Sequence, residues 1–97
     1  MKLRFTHRAL RDVAEIAEFI RRENPDAALR VRDAILGSLE TVRQFPEIGR
    51  LQNVESVRKL VVRRFPYLIY YSIDSDHAAI VVLTVQHAAR RRIHEDR

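Results

Sequence analysis

Cleaving RNA without a metal takes a base for the 2′-hydroxyl, an acid for the leaving oxygen, and cations for the charged phosphorus. Cations are plentiful in the second half of this sequence: Arg58, Arg63 and Arg64, then the run Arg90, Arg91 and Arg92. Acids and bases are scarce. His87 closes an apolar run, and its parity matches Leu83 and Val85, which points it toward a core as a hydrogen-bonded structural histidine. Tyr70 could act as an acid or as a platform on which a base stacks. Tyr67 and Tyr71 read as core residues whose hydroxyls reach an edge. His7 opens a helix, His77 lies in a turn and Glu47 in a loop, so all three read as surface residues. His87 and His94 have no third partner at ligand spacing, so no metal site is expected. A glycine-rich phosphate loop, a Ser-His-Asp order and a cysteine are all missing, and no cofactor is implied.

Binding therefore competes with catalysis as the use of these arginines. The chain has 97 residues, enough for one domain, and carries a net charge of +5. Among the 18 basic residues only Lys2 and Lys59 are lysines. The guanidinium is a planar fork that grips phosphate or carboxylate in pairs, so the bias favours a polyanion or an acidic peptide. Apolar residues make up 46% and charged residues 32%, the balance of a folded globular protein. No apolar run approaches the roughly 18 residues of a membrane span. The start, MKLRFTHRALRD, has no apolar leader segment, and a cytoplasmic protein is expected.

The periodicity gives the elements that must position these groups. Residues 2–6 alternate as a short strand. A helix follows over 7–23, with Thr6 as its cap and Leu10, Val13, Ala14, Ile16, Ala17 and Ile20 as its apolar stripe. Asn24-Pro25 stops it and starts a second helix over 25–45, with a stripe of Ala28, Val31, Ala34, Ile35, Leu39, Val42 and Phe45. Two long helices so closely joined fold back as a hairpin. Gly37 lies inside the second helix, where glycine costs up to ~1 kcal/mol, and a close helix–helix approach would explain it. Residues 46–56 read as a loop and 88–97 as a charged tail. Residues 57–64, 67–74 and 78–86 read as three strands in an antiparallel meander. The fold class is α+β: strand, helix, helix, strand, strand, strand, with the hairpin on one face of a small, mainly antiparallel sheet.

On that plan Tyr67, Ile69, Tyr71 and Ile73 face the helices. The opposite face shows Lys59, Arg63, Tyr70, Thr84 and Gln86, with Arg64 and the run from Arg90 to Arg92 at its rim. The last strand is apolar on both parities, as in a strand covered on both sides.

Four segments in this order resemble the RelE/ParE toxin superfamily, and its ParE branch most: FTHRALRDVAEIAEFIRRENPDAA, FPEIGR, VRKLVVRRFPYLIYYSID and VLTVQHAARRR. They cover nearly the whole chain. The resemblance implies the toxin half of a type II toxin–antitoxin system, held in check by a cognate antitoxin, ParD-like or another DNA-binding protein. It also implies DNA gyrase as target, bound and inhibited rather than chemically altered. Arg58, Arg63, Arg64, Arg90, Arg91 and Arg92 are then the expected target contacts. The RelE branch, which cuts mRNA on the ribosome, is the alternative, with His87 and Tyr70 as its catalytic pair. Nuclease members usually carry a Tyr or His-Tyr near the C-terminus, whereas here no tyrosine follows Tyr71. A third possibility is an orphan interaction module without toxicity.

Overall fold

The computed structural model describes residues 1–89, so Arg90, Arg91, Arg92 and His94 lie outside the described residues. The order is β1 (Lys2–Phe5), α1 (His7–Glu23), α2 (Pro25–Gln44), a 3-10 turn (Pro46–Ile48), β2 (Arg50–Leu51), β3 (Arg58–Val61), β4 (Tyr67–Asp74), a second 3-10 turn (Ser75–His77) and β5 (Ala79–His87). The sheet runs β1-β5-β4-β3-β2. β1 is parallel to β5, and the other pairs are antiparallel. The expected α+β architecture is present, with one strand more than periodicity predicts. β2 pairs Arg50 with Lys59 and Leu51 with Arg58, and two residues are too few to show an alternation.

Single residues set the helix boundaries. The Thr6 hydroxyl accepts from the Ala9 amide at 3.0 Å, capping α1, and donates to the Leu83 carbonyl at 2.8 Å, tying that cap to β5. Asn24 ends one helix and begins the next. Its amide donates to the Ile20 carbonyl at 2.8 Å, and its side chain accepts from the Ala27 amide at 3.1 Å. Pro25 then sits in the first turn, where a missing N–H costs nothing. One shared cap leaves no slack, so α2 must return alongside α1.

The buried face of α1 is Ala9 and Ile16, flanked by Val13 and Ile20. This corrects the expected stripe: Leu10 and Ala14 are exposed, because the face that meets the sheet is centred one residue earlier. On α2, Val31, Ile35, Leu39 and Val42 are buried, but Phe45 lies past the helix end and is 62% exposed. Ile69, Tyr71, Ile80, Val82 and Val85 supply the sheet side of the core.

The two-sided apolar character of β5 has a different origin from the one expected. Tyr70 pairs with Thr84 and Tyr71 with Val82, so Leu83 is the extra residue of a β-bulge. Strict alternation cannot put both Ile80 and Val85 on one face. The bulge does so by switching parity between them, which keeps both in the helix-facing core. The opposite row is also not the open surface expected. Tyr70 and Thr84 are each 1% exposed and Gln86 is 8% exposed. The expected strand over 57–64 shortens to Arg58–Val61, because Arg64 adopts a left-handed φ of 74° in the turn that follows.

Gly37 does not mark a close approach of helices. A Cβ built there meets nothing within 4 Å, and the residue is exposed. The chain thus carries a helix-weakening residue for which the described residues supply no packing reason. Gly37→Ala is expected to raise stability by up to about 1 kcal/mol, read as a higher midpoint in urea with an unchanged slope. A loss of stability would reveal a constraint on this position that the fold does not display.

Candidate binding surface

The loop between α2 and the sheet is built around one hydroxyl. Tyr71, fully buried in β4, donates to the Pro46 carbonyl at 2.6 Å and accepts from the Gly49 amide at 2.8 Å. Burial raises the phenol above its ordinary pKa, outweighing the Gly49 hydrogen bond and the nearby Arg58 charge, so the hydroxyl keeps the proton it donates. Gly49 has to be glycine for reasons of space, since a Cβ would lie 2.6 Å from the Tyr71 oxygen. Arg58 completes the clamp with hydrogen bonds to the carbonyls of Glu47 at 3.1 Å and Gly49 at 2.8 Å. Of the expected target contacts, Arg58 therefore already holds the loop.

Arg63 and Arg64 are placed differently. Both are exposed in the turn from β3 to β4, which Val62 closes by donating to the Tyr67 carbonyl at 2.9 Å. Neither makes an ion pair or side-chain hydrogen bond among the described residues. With Arg30 of α2 they line a cleft of about 620 Å³, and Gly37, Ala34 and Phe65 contribute apolar lining. The sequence reading missed Arg30 and the cleft, although the unexplained glycine was its signal.

His87 lies in a second cleft, of about 510 Å³, between α1 and the end of β5. Its ring meets Tyr67 edge-on, with centroids 5.3 Å apart at 84°. Its Nδ1 accepts from the Ala89 amide at 3.1 Å, so the neutral ring carries its proton on Nε2. The helix-facing position expected for His87 is the one observed. Asp12 and Glu15 line the same cleft. Asp12 is a structural residue that sequence reasoning left on the polar side of α1. Its carboxylate accepts from the Thr84 hydroxyl at 2.5 Å and from the Val85 amide at 3.0 Å, and Arg8 stands 3.9 Å away. Two carboxylates beside His87 repel a phosphate, while the cleft with Arg30, Arg63 and Arg64 shares no lining residue with this one among the described residues.

Tyr70, at 1% exposure, offers no open ring face for stacking. Lys59 is its half-buried neighbour on β3. His7 and Glu47 are on the surface, as is His77, whose Nδ1 lies 2.9 Å from Asp74. That contact and the resulting hydrogen bond hold the Asp74 carboxyl below its usual pKa. Among the described residues no three His, Cys, Asp or Glu side chains are grouped to hold a metal ion. No described helix is long and apolar enough to cross a membrane.

A helical hairpin packed on a small mixed sheet matches the compact α+β architecture of RelE/ParE toxins. The profile of the ParE toxin of the type II toxin–antitoxin system parDE matches residues 3–92, and the chain belongs to this family. Y4kP of Sinorhizobium fredii is 39% identical over 87 residues, 90% of this chain and 88% of that protein. Toxin RelE2 of Caulobacter vibrioides is 34% identical over 87 residues, 89% of this chain and 93% of that protein. The chromosomal ParDE toxin–antitoxin system of P. aeruginosa contains a chain that superposes with a TM-score of 0.78 at 23% identity, covering 90% of this chain and 95% of that one. That similarity shows a shared fold.

The Tyr71 clamp has a measurable weight. Tyr71→Phe leaves the buried Gly49 amide without its acceptor, a loss expected to cost about 1–3 kcal/mol in urea unfolding. A variant as stable as the parent would show that the clamp contributes nothing net.

Proposed function

We propose that this chain is the toxin of a type II toxin–antitoxin pair, acts in the cytoplasm, and arrests growth by binding DNA gyrase rather than by cutting RNA. Its partner on this reading is a cognate antitoxin, ParD-like or another DNA-binding protein, as the naming of the family and of the P. aeruginosa system suggests. The observation that carries binding over catalysis is the separation of groups. The histidine lies among carboxylates in one cleft, and Arg30, Arg63 and Arg64, without a charged partner among the described residues, line another. Metal-independent cleavage needs base, acid and cations within hydrogen-bond reach of one phosphate. On this reading Arg63 and Arg64 contact the target together with Arg90, Arg91 and Arg92, and Arg58 contributes by shaping the loop. A nuclease reading has the name of the Caulobacter relative in its favour and would employ His87 and Tyr70.

The decisive measurement is a gyrase assay with the chain freed from antitoxin, following supercoiling and trapped cleaved DNA, with an RNA-cleavage control. Cleaved DNA that accumulates and is reversed by antitoxin is the expected result. Cut RNA with gyrase untouched would move the chain to the nuclease branch.

Two sets of variants refine the reading. Replacing Arg90, Arg91 and Arg92 together with alanine is expected to weaken growth arrest by about tenfold or more while the fold is retained. Undiminished arrest would remove that segment from the target interface. His87→Ala is expected to lower stability by about 0.5–1.5 kcal/mol through the lost ring contact with Tyr67, and to leave growth arrest intact. A variant of unchanged stability that had lost an RNA-cleaving activity would reverse the assignment.

A further inference from the structure

We propose that the cleft over Gly37 receives an acidic segment of the antitoxin. One apolar side chain of that segment enters the gap above the glycine, and flanking carboxylates pair with Arg30, Arg63 and Arg64. This rests on the toxin–antitoxin reading and adds a location and a chemistry to it: the antitoxin covers Arg63 and Arg64, which the target meets once the antitoxin is gone.

The first observation is the glycine itself. It weakens α2, yet nothing among the described residues occupies the space its missing side chain leaves. The Thr41 hydroxyl donates to the Gly37 carbonyl at 3.1 Å, so the backbone there is satisfied within the helix and needs no partner. What the glycine does achieve is depth, because any side chain at this position would project into a cleft of about 620 Å³.

The second observation is the state of the charges. Several arginines of the hairpin meet carboxylates of their own helix: Arg21 and Arg22 reach Glu18, Arg32 reaches Asp33, and Arg43 reaches Glu40. Arg11 makes no such pair among the described residues, but it lines a cleft together with Glu15 and Glu18. Arg30, Arg63 and Arg64 have no such partner among the described residues. Among the described residues the one acid lining the cleft, Asp33, is already 3.4 Å from Arg32. Arg64 is moreover held at a φ of 74°, a left-handed conformation that side chains rarely adopt and that recurs at binding sites.

The third is the kind of surface between the charges. Ala34, Gly37 and Phe65 give the cleft an apolar part beside its arginines. A phosphate would use the arginines and leave that part empty. A peptide with an apolar residue between acids uses both, in the manner of an amphipathic segment laid in a groove.

The test measures antitoxin affinity for the purified chain and its variants. Gly37→Leu fills the gap with a better helix former, so its fold is expected to be at least as stable, while its affinity should fall by about tenfold or more. Should the leucine variant fail to fold, the surface pair Arg30→Glu with Arg63→Glu carries the test, with an expected loss of about a hundredfold and stronger salt sensitivity in the parent than in the variant. Folded variants that bind within about twofold of the parent would overturn the proposal and leave the toxin–antitoxin reading standing. An antitoxin that does not bind the parent chain would bring down that reading and this one together. Variants that keep the antitoxin but lose gyrase binding would assign the cleft to the target instead, which also overturns the proposal.

Discussion

The hydroxyl of Tyr71 carries the joint between the two layers of this molecule. It sits on β4 in the core, and both of its hydrogen bonds go to the loop that leaves α2. A buried loop amide or carbonyl without a partner is costly, so those bonds fix where Pro46 and Gly49 run. That path delivers Arg50 and Leu51 to the edge of β3, where they form the last strand. It also brings the carbonyls of Glu47 and Gly49 within reach of Arg58. Without the phenol, α2 would still pack by its apolar stripe, and the loop would be held to the sheet edge by the Arg58 hydrogen bonds and the short β2–β3 pairing without its buried anchor.

The opposite edge is closed by α1. β1 pairs with β5 only as far as Phe5 opposite Val82, so the backbone of β5 beyond that point loses its neighbouring strand. Thr6 accepts the duty at Leu83 and Asp12 at Val85, each from the side-chain oxygen of a residue at the start of the helix. An open strand edge invites pairing with other chains, and covering it with a helix is one of the ways proteins avoid that. The bulge at Leu83 falls where strand pairing gives way to helix capping, which is also where the parity of the core changes.

The sequence disclosed what depends on repeated spacing and concealed what depends on a single local event. The helices and their shared Asn24-Pro25 junction could be read because apolar residues recur at helical intervals and proline has one place in such a junction. The meander could be read from alternation and short turns. The bulge could not, because one inserted residue leaves a run such as AIVVLTVQH looking apolar on both parities, and two-sided burial explains that equally well. β2 was hidden by its length. The roles of Asp12 and Arg58 were hidden by chemistry, since a charged residue on a polar helix face or a strand looks the same whether it faces water or a backbone group far along the chain. Gly37 was legible as a question but not as an answer, since only the structure shows the space beside it to be empty.

Net charge would have suggested a uniformly attractive surface for polyanions, but the structure divides the arginines into two populations. Arg21, Arg22 and Arg43, each paired with a carboxylate three or four residues away on its own helix, are locally neutralised, and such exposed pairs contribute little to stability. They also contribute little field beyond a Debye length of about 10 Å at moderate salt. Arg63 and Arg64 sit in a turn whose neighbours Val62, Phe65 and Pro66 are apolar, so no acid is supplied at close sequence distance. Their charge is available to whatever approaches. The position of the acids, more than the number of the bases, therefore decides where positive charge goes unpaired among the described residues, and Arg63 and Arg64 of the β3–β4 turn hold such charge in a cleft other than that of His87.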